Sequence, residues 1–316
     1  MSPRSFRFGV SASRPRPKAE WMAFAQRVEA LGFDSLVIAD HFGARFAVAP
    51  ALVLAAEATT TLRVGSLVYD NDFRHPALLA QEIATIDSLT DGRFDFGIGA
   101  GWLKSEYDAA GLSFDPGRVR VDRLAEAVQI IKRLLRGNPV TFEGRHYRLH
   151  ELAAGFKPVQ QPHPPFVIGG GGRRLLTLAA EEADTISVMP RSRPDGRGLE
   201  DADATDQAFR EKIGWIRQAA GDRFDRLELN TLVQAVSITD NAVREAERLA
   251  PEWELPAEAL LHSPLLLIGG VDEIVEVIAR RRDQLGITSL TVFEKDLESM
   301  AKVIERLRAS VRDASG

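Results

Sequence analysis

The sequence predicts an α/β protein built as a closed parallel (β/α)8 TIM barrel, and three observations predict it. Short strand-type segments alternate with helical stripes along the chain. These strand–helix units number eight, the count that closure requires, and no composition shift or long linker divides the chain into two self-sufficient halves. At 316 residues the length fits one barrel as well as two domains, so the alternation decides. An open doubly wound sheet with extra units in a second domain is the competing architecture. Its one candidate divide, a proline-rich stretch at residues 158–165, is short, so we expect residues 1–316 to form a single barrel domain with insertions.

Each unit has its own signal. Residues 6–11 read as a β-branched and aromatic strand, and residues 18–31 as a helix whose Met22, Ala25, Val28 and Leu31 end at a Gly32 stop. Strand two, at 35–39, is apolar throughout, as burial on both faces demands, and a helix starts at Pro50 and runs to 59. Strand three covers 62–68, and the helix at 76–89 closes on Thr90-Asp91-Gly92. Strand four covers 94–99. After a loop comes a helix at 119–136, with Val121, Leu124, Val128, Ile131 and Leu135 on one stripe. A small hairpin is expected as an insertion near 140–149, around Glu143-Gly144. Strands and helices then resume at 166–169 and 173–182, and at 185–188 and 204–220. A polar stretch at 190–203 reads as a mobile loop. Strand seven spans 227–235, with helical segments at 241–249 and 271–285 that include an extra insertion near 250–285. Strand eight spans 289–293, and the last helix spans 297–312.

Composition narrows the function. Apolar residues at 45% and charged residues at 27% are ordinary for a folded globular protein and exclude disorder as the main state. The net charge of −5 supplies no positive field, so we expect no nucleic-acid or anionic-membrane partner. Without cysteine the chain has no disulfide, thiolate nucleophile, Cys-ligated zinc or iron–sulfur cluster. This fits a reducing cytoplasm, the expected location. No secretion-signal pattern opens the sequence, and no apolar run is long enough to span a bilayer.

In such a barrel the chemistry sits at the carboxyl ends of the strands. Strand two ends in Asp40-His41, an acid beside an imidazole that can exchange a proton near neutral pH; the alternative is a helix-capping Asp and a packed His. Asp70, Asp72 and His75 follow strand three without metal-ligand spacing, so no metal is expected. The plainer reading is a loop stiffened by an Arg–carboxylate pair and a proline. Strand four runs into Gly97-Ile98-Gly99-Ala100-Gly101-Trp102. The glycines are misplaced for a dinucleotide fingerprint, but Gly99 and Gly101 beside Trp102 suit a strand end over which a flat ring lies. Strand five ends in Gly169, Gly170, Gly171 and Gly172 and leads into a helix amino terminus, where free N–H groups suit a phosphate; the alternative is a flexible turn.

Several of these segments together resemble the bacterial luciferase-like monooxygenase superfamily. They are Asp40-His41-Phe42, Leu67-Val68-Tyr69-Asp70-Asn71-Asp72-Phe73-Arg74-His75-Pro76-Ala77, Leu89-Thr90-Asp91-Gly92-Arg93, Gly97 to Trp102 with Glu106-Tyr107, Glu143-Gly144 and the four glycines. The resemblance covers most of the chain in order, and the set as a whole is specific where each motif alone is weak. It implies a barrel that binds coenzyme F420 or, alternatively, FMN, with the ring at the mouth and the phosphate near the glycine loop. Carried over by motif position, Asp40 would contact the deazaflavin and His41 would lie near its reacting face. A strand-three bulge, often with a non-prolyl cis peptide, would back the ring at Leu67-Val68, with Asp70 just beyond. Gly169, Gly170, Gly171 and Gly172 would hold the phosphate.

Deazaflavin sugar-phosphate dehydrogenases of this family place a carboxylate where this chain has Trp102, which argues against that substrate and for a planar or apolar one. The joined expectation is an F420-dependent oxidoreductase. Hydride passes between reduced F420 and a small organic substrate, His41 supplies the proton and Trp102 walls the pocket. Rival readings are an FMN-dependent monooxygenase using reduced FMN and O2, a metal-dependent hydrolase using Asp40, His41, Asp70 and His75, and a non-catalytic flavin- or deazaflavin-binding protein. A homodimer is expected from the family's tendency and from exposed-looking apolar positions on the second and third helices.

Overall fold

The computed structural model describes residues 5–12, 14–153 and 155–313. Eight parallel strands close on themselves: β1 (Arg7–Ser11), β2 (Ser35–Ile38), β3 (Arg63–Ser66), β4 (Phe94–Gly99), β5 (Phe166–Gly170), β6 (Thr185–Val188), β7 (Glu228–Val233) and β8 (Ile287–Phe293). Each pairs with its successor, and β8 returns to β1 with Val10 opposite Val292.

The period-two pattern of the strands explains the barrel. In Phe94-Asp95-Phe96-Gly97-Ile98-Gly99 the large apolar residues are fully buried under the helices, and Asp95 and the glycines face the axis. A layer of branched apolar residues is usual inside such a barrel; here mostly small and polar groups occupy the axis, with Val37 and Val167 beside them. At the amino ends of the strands Asp95 accepts from Arg7 (2.9 Å) and from Nε of Arg63 (3.0 Å), and Glu228 accepts from Arg7 (3.0 Å), closing the floor with an ion-pair network. Above it the Asn230 amide donates to Ser289 (3.0 Å) and Thr291 (3.1 Å), and its oxygen accepts from Ser187 (2.9 Å). The satisfied amide makes a buried polar layer tolerable.

The ring of helices includes α1 (Lys18–Ala30), α2 (Val48–Glu57), α3 (Pro76–Leu89), α4 (Lys104–Ala110), α5 (Gly117–Leu135), α6 (Arg173–Glu182) and α7 (Asp206–Ala220). The expected hairpin is present as Val140–Glu143 against Arg148–Leu152, its turn held by Glu126 of α5, which accepts from the N–H groups of Arg145, His146 and Tyr147.

Two expectations need correction. The seventh strand stops at Val233; Ala235–Ile238 leaves the barrel and pairs in parallel with Leu266–Gly269, so the insertion near 250–285 contains a strand as well as helices. The loop after β4 contains α4, a helix too short and too polar to show a stripe. The third strand is interrupted at Leu67-Val68, where the resemblance implies a bulge. Between the pairings Gly65 with Asp95 and Tyr69 with Ile98 it advances four residues against three on β4, which is a bulge, and the Leu67–Val68 peptide inside it is cis.

Leu78 and Leu89 of α3 are exposed as expected, whereas Val53 and Leu54 of α2 are half-buried. A groove of about 860 Å3 between α2 and α3 is lined by Val53, Leu54, Leu78, Ile86 and Leu89 among others. No helix among the described residues is long and apolar enough to cross a membrane.

Gly97 tests the packing of the bulge. A Cβ there would stand 2.0 Å from the Ser66 carbonyl oxygen and 3.1 Å from Val68 Cγ1. Gly97→Ala should destabilise the fold by about 3 kcal/mol in urea unfolding. Gly214→Ala, on α7 with open space around it, should be neutral or stabilise by up to ~1 kcal/mol. Equal effects of the two would refute this packing.

Candidate functional site

The bulge organises the mouth. The Leu67 N–H donates to Ile38 O (2.9 Å), the Asp40 N–H donates to Val68 O (3.3 Å), and the Asp40 carboxylate accepts from the Asp70 N–H (3.2 Å) and from the Arg74 guanidinium. Asp40 therefore caps no helix; it ties the end of β2 to the far side of the bulge. The Val68 side chain lies over a bed of three glycines. A Cβ added to Gly97, Gly99 or Gly169 would come within 3.1, 2.8 or 3.3 Å of its methyl groups. Gly99, expected beside a ligand ring, and Gly169, expected to hold the phosphate, make room for Val68, so a ring at this strand end meets the isopropyl group resting on them.

Gly101 has another task. Its φ of +73° is one that side chains rarely adopt, and a Cβ there would fall 1.9 Å from the Tyr107 hydroxyl and 2.6 Å from Asp70 Oδ2. That hydroxyl donates to Asp70, both of whose oxygens lie 2.9 Å away, and lies 3.2 Å from Asp72. Burial, and after it the two carboxylates, push the hydroxyl's pKa well up, which keeps it protonated. Burial also raises the Asp70 carboxyl to about 7, with the Asp72 N–H and the Tyr107 hydroxyl pulling the other way.

His41 stands beside this cluster with Nδ1 2.9 Å from Glu106 Oε2, both side chains mostly buried, and its ring meets Trp102 edge-on at 6.1 Å and 89°. Glu106 is the partner of His41 that sequence reasoning missed: it stood in a quoted motif without a role. The signals that could have placed it on a helix were Lys104 four residues before Asp108, an ion pair at 2.6 Å, and Gly111 as a left-handed stop.

The remaining acids and histidine are occupied separately. Asp72 pairs with Arg123 at 2.8 Å, Arg74 stacks on Tyr69, and His75 accepts from the Ala77 N–H at the start of α3. Among the described residues no three His, Asp or Glu groups are placed to hold a metal ion, so Asp40, His41, Asp70 and His75 do not form the centre that the hydrolase reading needs.

At the end of β5, Gly171 has no room for a side chain, since a Cβ would meet Met189 O at 2.2 Å, while Gly172 leads into α6 with open space and no side-chain cap. The amide groups of the first turn have no side-chain cap. The segment 190–203 is tied down at both ends of its excursion. Asp203 accepts from the Arg191 N–H (2.7 Å) and pairs with the buried Lys212 (2.5 Å), and Gly196 O accepts from the Lys104 N–H (3.1 Å) at the start of α4.

Fold and site thus define a (β/α)8 barrel whose mouth joins an imidazole–carboxylate pair, a bulged third strand and a side-chain-free loop before a helix. Residues 4–200 match the family described as luciferase-like monooxygenase, and the chain belongs to that family. It is 38% identical over 156 residues to an F420-dependent glucose-6-phosphate dehydrogenase of Kineococcus radiotolerans, a match spanning 47% of this chain and 46% of the relative. The chain thus spans about half the length of that relative. A protein of the same name from Nakamurella multipartita is 31% identical over 243 residues, 74% of this chain and 68% of the relative. Among solved structures, an F420-dependent secondary alcohol dehydrogenase in complex with an F420-acetone adduct superposes with a TM-score of 0.76 at 20% identity, covering 96% of this chain and 98% of that one. This likeness shows the shared fold.

Asp70 yields a pH test. Its carboxyl rises from the ordinary 3.8 to about 7 on folding, so between those values the folded chain holds a proton that the unfolded chain releases. The stabilising contribution is full below about 4 and is lost as pH rises through about 7. Urea unfolding between pH 5 and 8 should show wild-type stability falling relative to Asp70→Asn, which carries no such proton. Parallel curves would mean that Asp70 is ionised throughout.

Proposed function

We propose that the protein is an F420-dependent oxidoreductase acting on a small planar or apolar organic substrate. The observation that carries the reading is the His41–Glu106 pair, 2.9 Å apart, set beside the bulged strand whose Val68 offers a flat apolar rest. The names of the relatives with which the chain shares 31–38% identity favour F420 over FMN. The residues present fit the group: the uncapped start of α6 behind Gly170, Gly171 and Gly172 suits its phosphate, and the glycine bed under Val68 leaves a surface without bulky side chains.

Bound there, the deazaflavin supplies hydride chemistry. The protein's part is position and protons. Glu106 accepts from Nδ1 of His41, fixing the ring and its tautomer and leaving Nε2 as the nitrogen that exchanges a proton with substrate. Asp40, paired with Arg74, holds the bulge. Trp102 stands where a carboxylate would serve a sugar-phosphate dehydrogenase; its ring packs against His41 and favours a planar apolar acceptor.

Fluorescence titration of the purified protein should give a micromolar Kd for F420. His41→Ala should keep that affinity within ~3-fold while cutting turnover of menadione, a planar electron-poor quinone, by ~10²-fold. Micromolar FMN binding with none for F420 would favour the oxygenase reading, and unchanged turnover in His41→Ala would remove His41 from the chemistry.

We also propose a second copy of the chain as the occupant of the α2–α3 groove, whose rim leucines Leu78 and Leu89 are 64% and 59% exposed. Sedimentation should give a dimer that Leu78→Arg converts to monomer. A wild-type monomer at micromolar concentration would contradict it.

A further inference from the structure

α4 poses a physical problem. A helix of seven residues is far below the length at which helices persist alone, so tertiary contacts must hold it, yet it carries Glu106, whose carboxylate has to meet an imidazole within hydrogen-bond distance. Tyr107 is the buried residue of this helix, 1% exposed. Its ring packs between Phe73 (5.5 Å) and Phe114 (5.0 Å), and its hydroxyl reaches across to Asp70 and Asp72, beyond the bulge of the third strand. The Cβ position of Gly101 is the space that the hydroxyl fills. At the other end of the helix the Lys104 N–H is held by Gly196 O.

Consecutive helical residues differ by ~100° about the axis, so an anchor at Tyr107 sets where Glu106 points. We propose that Tyr107, clamped by Asp70, is a positioning residue: it fixes the rotation and depth of α4 and thereby holds Glu106 against Nδ1 of His41. The clamp deepens the reading of the site given above and rests on it for its catalytic meaning; its geometry stands on this chain alone. Through it the bulge that shapes the ligand's resting surface also sets the imidazole–carboxylate pair, since Asp70 belongs to the short pairing Tyr69–Asp70 that follows the bulge.

Long-range 1H–15N NMR of the ligand-free protein reads the His41 Nδ1–H bond directly. Wild type should show a slowly exchanging, hydrogen-bonded Nδ1 proton that Glu106→Gln weakens, which assigns it. Tyr107→Phe keeps the ring and removes the hydroxyl. It should lose that signal and raise hydrogen exchange across Lys104–Ala110 by ~10-fold or more, with exchange in β4 and α5 unchanged. Gly101→Ala, which occupies the hydroxyl's space, should do the same. In menadione turnover Tyr107→Phe should lower kcat by ~10-fold with KM and F420 affinity within ~2-fold, and in a Glu106→Gln background it should add less than ~2-fold, as expected for a residue acting through Glu106.

Retention of the Nδ1 signal and of α4 protection in Tyr107→Phe would overturn the clamp, as would an equal kinetic cost in both backgrounds. If Glu106→Gln and His41→Ala leave turnover intact while Tyr107→Phe still abolishes the signal, the clamp stands and the catalytic reading falls.

Discussion

The contact on which the rest depends is Val68 on its bed of glycines. The bulge gives β3 one residue more than its partner, and that extra length has to go somewhere. It fits because Gly97, Gly99 and Gly169 present no side chain beneath it and because Asp40 fastens both edges, accepting from the Asp70 N–H while its own N–H donates to Val68 O. A side chain on any of the three glycines, or the loss of the Asp40 carboxylate, would disturb the surface on which a ring can rest. The polar layer below, centred on Asn230, and the ion-pair floor of Arg7, Arg63, Asp95 and Glu228 complete an axis made mostly of small and polar groups, so most apolar packing lies outside the barrel wall.

Charge at the mouth is compensated locally. Asp40 pairs with Arg74 and Asp72 with Arg123, while Asp70, with no cationic partner among the described residues, takes the Tyr107 hydroxyl and is pushed to about 7 by burial. The plainer sequence reading of this loop, an internal Arg–carboxylate pair and a proline, holds only for Pro76 at the start of α3, since Arg74 reaches out of the loop to Asp40 and Asp72 pairs with Arg123. These acids are committed to Arg and Tyr partners, whereas His41 meets Glu106, the pair to which the proposed function assigns proton exchange.

Much of the fold was legible because strand and helix periodicities are local. Phe94 to Gly99 alternates by twos, and Leu124, Val128, Ile131 and Leu135 recur at helical spacing, so the count of eight followed. The residues at strand ends, Asp40, His41 and the glycine run, were legible because barrel topology says where to look. Their partners were not. Glu106 meets His41 across 65 residues, Tyr107 meets Asp70 across 37, and each lies on a helix held by tertiary contacts rather than by a stripe. The glycines were read as space for a ligand, whereas that space is taken first by Val68 and by a tyrosine hydroxyl, an exchange that only the folded chain displays. The ribbon Ala235–Ile238 with Leu266–Gly269 escaped for a similar reason, since its first strand continues β7 after one residue and only its pairing separates it from the barrel.

A crystal structure of the protein soaked with F420 tests the central claim most directly. The account predicts the deazaflavin ring lying on Val68 with His41 on its open face, and the phosphate at Gly170, Gly171 and Gly172 before α6. F420 bound away from the strand ends, or with its phosphate clear of that helix, would contradict it.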